Sequence, residues 1–460
     1  MIKIWPNIKL YSAVLLVFIG LIIYRIFNYT YASYDCGYYL SVARDMYRGN
    51  TFFTDIAVSY NPLGIVMLGL PYLFTENTTF AMHVFVNILF IILGSFVLFR
   101  ILRRLKTSIH TALFFCLLYI AITLNYDGNI IMLEPFSVLF QLCGLYFFLN
   151  VLEKKKVIQS IFLSGVFISL AFLSKQFGLF LLLPTGVYLL LNRTALIKRI
   201  AIFGLGVASP LVILYLFYAA KGVALMQYVS FILGKGVALD FGNGTGLIDI
   251  INTTGIVNFI IATIFLVLIP FYLKKTTLQK SEALFYILLP ISALSVFIFA
   301  NYNHYFQYLT PYLIILFVVA LNTSQQKLKP IINQIALIIS VAMVVFLSLK
   351  TLKSQKRNSK YLMKGLAIVE QEVPKGSTVF LSRISPAFYY LLDYKSISLD
   401  KIGYTFPEYY KTETILSNLS KGDYLILTES YYNKYKAFGN QFKQKKIHFR
   451  DQDLYIFVKK

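Results

Sequence analysis

The chain has 460 residues, of which 58% are hydrophobic and 17% aromatic, and its mean hydropathy is +0.68. That composition excludes an ordinary soluble domain. A net charge of +23 (43 Lys+Arg against 20 Asp+Glu) would suggest nucleic acid in a soluble chain, but here the basic residues lie between long apolar runs and point to a membrane instead.

The first apolar run, about residues 10–30, follows Lys3 and Lys9, is long, and has no small-residue cleavage site. It reads as a retained helix, not a removed signal peptide. Further runs fall at about 80–100, 107–124, 134–152, 157–173, 177–191, 200–219, 255–273, 281–300, 309–323 and 330–349. Most are long enough to cross ~30 Å of hydrocarbon, and each must be helical because lipid leaves no partner for open backbone groups. The fold class expected is a polytopic α-helical membrane protein with about eleven spans. The short runs flanking Lys175 leave open a re-entrant pair in place of two crossings.

Loop charge supplies the orientation. With the N-terminus inside, the inner loops gather Lys3, Lys9, Arg100–Lys106, Lys154–Lys156 and others, seventeen basic residues, whereas the outer side before residue 350 holds six: Arg25, Arg44, Arg48, Lys175, Lys221 and Lys235. This is the positive-inside pattern. An odd number of spans places the C-terminal segment outside.

Between the first two spans lies a long outer loop, residues 31–79. It carries helical periodicity in 37–48 and again in 63–74, the second begun by Pro62. Both read as helices lying along the interface with aromatic residues toward the membrane. A second long outer loop, 220–254, is rich in glycine. From about residue 350 the spans stop. Residues 351–460 read as a small outer-side α/β domain, with strands at 379–381, 424–427 and 454–458 and helices at 361–372 and 408–420. Cys36, Cys116 and Cys143 form no disulfide framework.

The outer-face polar residues form a candidate site: Asp35, Arg44, Asn61, Asp127, Glu134, Lys175, His304 and Gln307. Ionisable groups at membrane depth are costly unless they serve a pathway or a site. Each also has a structural reading. Glu134 caps a helix start; Asp127, in Asn125-Tyr126-Asp127-Gly128, is a turn residue; Lys175 snorkels from a hairpin; His304 is a satisfied interfacial histidine; Arg44 pairs with Asp35 or Asp45.

Four segments in order carry a family resemblance: Tyr34-Asp35-Cys36-Gly37-Tyr38-Tyr39 with Ala43-Arg44-Asp45-Met46 and Tyr60-Asn61-Pro62-Leu63; Met132-Leu133-Glu134-Pro135-Phe136; Leu173-Ser174-Lys175-Gln176; and Asn303-His304-Tyr305-Phe306 before Pro311. They resemble the GT-C glycosyltransferases of the protein mannosyltransferase and aminoarabinose transferase type, over residues 10–350. The resemblance implies a transmembrane GT-C-like catalytic domain over 1–350 with a small outer domain over 351–460. It also implies an inverting transfer of sugar from a polyprenyl-phosphate donor to an acceptor hydroxyl on a lipid, glycan or protein, at the outer face of a plasma membrane. Asp35 would be the general base and Glu134, matching the family's acidic residue at the start of the fourth span, a second catalytic residue. Arg44, Asn61, Asp127, Lys175, His304 and Gln307 would hold the donor phosphate or substrate. Many relatives carry a charged pair where this chain has Tyr60-Asn61. Asn61 neither neutralises phosphate nor ligates a metal well, and no His/Cys/carboxylate cluster argues for one, so no metal or other cofactor is expected. Nucleic acid is not an expected partner. The alternative is a transporter or flippase of lipid-linked sugars, but no internal repeat supports it and the polar groups gather on one face. The few cysteines and compact loops suit a bacterial membrane.

Overall fold

The computed structural model describes residues 34–57, 60–124, 131–232, 278–296, 303–323, 362–382, 387–396, 402–403, 412–449 and 452–460, with single positions between 12 and 23. The expected spans at 10–30, 255–273 and 330–349 lie wholly or largely outside these residues, as does most of the 220–254 loop.

The helices follow the apolar runs. In chain order they are α1 (Tyr34–Tyr47), α2 (Pro62–Leu68), α3 (Phe80–Arg104), α4 (Ile109–Thr123), α5 (Glu134–Leu152), α6 (Val157–Ser174), α7 (Leu182–Leu191), α8 (Leu196–Ala219), α9 (Leu225–Ser230), α10 (Lys280–Leu294) and α11 (Phe306–Thr323). Of these α3, α5, α6 and α8 are long and apolar enough to cross a bilayer by themselves. Helices α4 and α11 are shorter apolar helices; α7 continues from a 3-10 turn, Gln176–Leu181. The hairpin at Lys175 is tight because Gly178 lies against the backbone of Ala171 and Phe172, where a Cβ would have no room.

The first loop departs from expectation in two ways. The periodicity over 63–74 is one helix in sequence but breaks after Leu68 into a 3-10 turn, Leu70–Leu73. Pro71 removes the amide that a continuous helix needs. The aromatic face of α1 does not look toward the membrane: Tyr38 and Tyr39 are 1% and 0% exposed, packed inside the protein.

What covers them is partly the C-terminal part of the chain. Its helix 362–372, α12 (Ala387–Leu391), α13 (Thr412–Ser417) and α14 (Glu429–Tyr435) accompany a five-stranded sheet. With β1 (Ile56–Ala57) in the first loop, its strands are β2 (Thr378–Ser382), β3 (Lys395–Ser396), β4 (Ile402–Gly403), β5 (Tyr424–Thr428), β6 (Phe442–Phe449) and β7 (Gln452–Lys459). The sheet order is β3-β2-β5-β7-β6, parallel at β3, β2 and β5 and antiparallel from β5 to β6. β4 instead pairs with β1, joining Ile402 to Ile56. One apolar cluster runs from Tyr38, Leu40 and Ile65 to Val369, Phe388 and Ile456. The C-terminal sheet and the first loop therefore share one end of the helical body.

Candidate functional site

Three residues from separate parts of the chain meet at that end. Glu134 starts α5, just ahead of Pro135, a residue suited to a helix's first turn, and its side chain is fully buried. Lys175 follows α6; its backbone is extended, so the chain turns sharply and directs the side chain back toward α5. His304 lies in the 3-10 turn Asn303–Tyr305 that leads into α11. Lys175 Nζ is 3.3 Å from Glu134 Oε1, and His304 Nε2 is 3.6 Å from the same oxygen. The side chains of Lys175 and His304 are 3% and 9% exposed. A cation and an anion stripped of water persist only as a well-placed pair.

Tyrosines complete the setting of the lysine. Its ammonium donates to the Tyr39 hydroxyl at 3.3 Å and lies 4.2 Å from the centre of the Tyr60 ring, a cation–π distance. Tyr38, Tyr39 and Tyr60 pack against one another with ring centres 5.3 to 5.7 Å apart. Burial, reinforced by Tyr60, Asp35 and Glu134 nearby, pushes the Tyr39 hydroxyl well above its ordinary value, so it stays protonated.

Asp35 occupies the first turn of α1, where a carboxylate complements the helix dipole. It is half-buried, one helical turn before Tyr39, and close enough to influence that hydroxyl electrostatically. Tyr39 thus links Asp35 to Lys175.

The buried setting of His304 decides its charge. Burial lowers its pKa to about 4, the nearby Lys175 adding to the effect and Glu134 opposing it. At neutral pH it is an uncharged imidazole.

The other candidates distribute differently. Gln307, fully buried, sits one turn past His304. Asn61 is buried with its amide donating to the Phe172 carbonyl at 2.6 Å, and Gly64 lies tightly against the Ser174 carbonyl. Both fasten the first loop to the end of α6 beside Lys175. Arg44 stands apart from this cluster. Its guanidinium donates to the carbonyls of Tyr389 and Tyr394 and to Asp393, each at 2.9 Å, and pairs with Asp45 at 3.2 Å. It is engaged by the C-terminal part of the chain, where the sequence reading gave it the donor phosphate or substrate. Asp127 lies outside the described residues.

Tyr39 and Tyr60 were missed as site residues because tyrosine in so aromatic a chain reads as core. The i, i+4 spacing of Asp35 and Tyr39 on a predicted helix was the available signal. Below Glu134, a polar ladder also escaped notice. Ser137 and Gln141 follow on the same face of α5; Ser137 donates to Ala171 at 3.0 Å and Gln141 accepts from the Tyr312 hydroxyl at 3.2 Å.

Residues 59–200 match the family model described as dolichyl-phosphate-mannose-protein mannosyltransferase, a stretch that includes Asn61, Glu134 and Lys175. No curated protein matches the sequence. Among solved structures, the chain is similar to ArnT from Cupriavidus metallidurans bound to undecaprenyl phosphate. The identity is 13%, the match covers 98% of each chain, and the TM-score is 0.73. It is also similar to the archaeal oligosaccharyltransferase AglB from Archaeoglobus fulgidus in complex with an inhibitory peptide and a dolichol-phosphate. There the identity is 11%, the coverage 94% of this chain and 71% of that one, and the TM-score 0.53. The resemblance read from the motifs holds for the fold across the chain and for the sequence family over residues 59–200.

Proposed function

We propose that this protein is an inverting membrane glycosyltransferase that moves a sugar from a polyprenyl-phosphate donor to an acceptor hydroxyl at the outer face of a bacterial plasma membrane. The observation that carries the reading is the placement of Lys175. The Lys175 ammonium, almost wholly buried, is held by Glu134 and by Tyr39, and Tyr39 stands one helical turn from the half-buried carboxylate of Asp35. The family match over the stretch holding Glu134 and Lys175 supports it, as does a fold shared with a protein whose structure was solved with undecaprenyl phosphate.

In this reading Asp35 accepts the proton of the acceptor hydroxyl. The acceptor oxygen bonds to the anomeric carbon from the face opposite the donor phosphate. The bond from that carbon to the phosphate oxygen breaks, and the phosphate leaves with the electron pair. Lys175 supplies the positive charge that meets it. His304, neutral at working pH, offers an N–H as a hydrogen-bond donor in place of charge. Glu134 keeps the ammonium in position before the donor arrives. A positioned base contributes about 10²–10⁴ in rate, and one preorganised donor to a developing negative charge about 10²–10³. No metal is needed in this scheme, because Lys175 provides the charge that meets the leaving phosphate.

The test is transfer from a panel of radiolabelled polyprenyl-phosphate sugars by purified wild type beside Asp35→Asn. Donor consumption by wild type, abolished in a variant that still folds and binds donor, supports both the reaction and the base. Equal rates would remove Asp35 from the chemistry. Donor binding without turnover across the panel would favour a flippase. A parallel reaction in excess chelator should run unchanged; loss restored by a divalent cation would overturn the metal-free scheme.

A further inference from the structure

A second feature lies away from Asp35. Between α6 and α8, under the first loop, is a cavity of about 930 Å³. Its walls are apolar: Phe162, Val166 and Leu170 on α6, and Ile213, Leu214 and Phe217 on α8. At one end its lining changes character. Asn50, Thr51 and Lys221 stand there, and Lys221 is the one charged residue among those that line it.

Four observations bear on what it holds. First, along α6 it runs from Phe162 to Leu173, which at 1.5 Å per residue is ~16 Å, close to half the ~30 Å hydrocarbon thickness. That depth is one leaflet. Second, it opens sideways to lipid: Ile213 and Phe217 are 67% and 54% exposed. Third, Lys221 is exposed, its ammonium 4.9 Å from the centre of the Phe217 ring, so a positive charge sits at the mouth. On the side of the membrane where the sequence places few basic residues, this is a distinctive position. The neighbouring acid, Asp55, is turned onto the Thr51 amide at 2.6 Å. Fourth, Met46 and Tyr47 form part of the rim at the C-terminal end of α1, whereas Asp35 is at its N-terminal end. Eleven residues of helix separate them by ~16 Å. Asp35 is not among the residues that line the groove, so a phosphate held at Lys221 occupies a different place from the one that leaves in the proposed reaction.

We propose that this groove is a binding site for an anionic glycerophospholipid, one acyl chain lying between α6 and α8 and the headgroup phosphate against Lys221. The inference rests on the placement of the chain in a membrane and not on the transferase reading. An acyl chain matches a groove one leaflet deep, which a long isoprenoid would overrun.

The chain has a single tryptophan, Trp5, so a reporter can be built. Trp5→Phe combined with Phe162→Trp puts an indole at the deep end by an aromatic exchange; Phe217→Trp in the same background reads the mouth if the first variant folds poorly. The protein is placed in phosphatidylcholine vesicles and titrated with phosphatidylglycerol or phosphatidylcholine carrying brominated acyl chains. Phosphatidylglycerol should quench at about fivefold lower mole fraction, the preference that one lysine confers for an anionic lipid. Lys221→Gln should bring the two titrations together. Coincident titrations in the lysine-bearing protein would overturn the site. Relief of the phosphatidylglycerol quenching by one equivalent of unbrominated undecaprenyl phosphate would assign the groove to an isoprenoid and overturn the proposal equally.

Discussion

Arg44 and Asp393 are joined at 2.9 Å across 349 residues of sequence. The bond ties α1, whose first turn carries Asp35, to the turn after α12 in the C-terminal part of the chain. Arg48 reaches the same carboxylate at 3.0 Å, but from an exposed position. The two arginines therefore predict different costs. Arg44→Ala removes the donor from two buried carbonyls and should lower stability by about 3 kcal/mol. Arg48→Ala breaks an exposed pair and should cost at most about 1 kcal/mol. Thermal unfolding of the two variants, with limited proteolysis to detect release of the C-terminal domain, checks the contrast. Equal stability would mean that Arg44 does not hold the two parts together.

The pair formed by Lys175 and Glu134 predicts non-additive behaviour. Removing either partner leaves a buried charge uncompensated, at about 3–5 kcal/mol. Glu134→Gln and Lys175→Gln should each lower the melting temperature strongly, whereas the double variant should lie closer to wild type than the sum of the two. All three should lose transfer activity, because the positive charge is either gone or misplaced. A double variant that melts at the additive position would show that the two residues do not interact energetically.

Much of this fold was legible because apolar length is a direct physical demand. The run at 134–152 is the helix Glu134–Leu152, and 157–173 is Val157–Ser174. Other features depended on distant partners. Arg44 looked like a site cation because its four acceptors lie next to it in sequence or nearly 350 residues away. The strand Phe442–Phe449 was missed because Lys443, Lys445 and Lys446 hide its alternation. It is an edge strand of the sheet, where lysines discourage pairing with another chain. Within the site, Lys175, Glu134 and His304 announced themselves as charge or histidine amid apolar runs. Tyr39 and Tyr60 did not, since only the packed structure distinguishes a tyrosine beside an ammonium from one in the core.

His304 predicts a pH dependence of stability. Its folded pKa, about 4, lies below the ordinary value of 6.5. The unfolded chain therefore binds its proton first as pH falls. The contribution of neutral His304 is complete above pH 6.5 and is lost progressively between 6.5 and 4, by up to about 3 kcal/mol. His304→Gln should flatten the fall in melting temperature over that window. An unchanged slope would place the acid sensitivity in other groups.

The crossing of α6 and α8 rests on two glycines, and the neighbouring glycine Gly204 supplies a control. A Cβ on Gly165 would stand 2.6 Å from the Phe203 carbonyl oxygen, and one on Gly206 would overlap the Phe162 carbonyl. In both places the obstacle is backbone, which cannot swing aside. Close helix approach through small residues is how membrane helices gain packing contacts that lipid does not supply. Gly206→Ala should therefore force α8 away from α6 and destabilise by about 1–3 kcal/mol. A Cβ on Gly204 meets nothing within 4 Å. Gly204→Ala should instead stabilise the helix by about 0.5–1 kcal/mol. The two substitutions are chemically identical and two residues apart, so thermal unfolding of the pair separates crowding from helix propensity. The same pair tests the groove, whose walls are these helices. Gly206→Ala should weaken the preference for brominated phosphatidylglycerol, and Gly204→Ala should leave it intact. Equal effects from both would mean that the crossing does not set the shape of the groove.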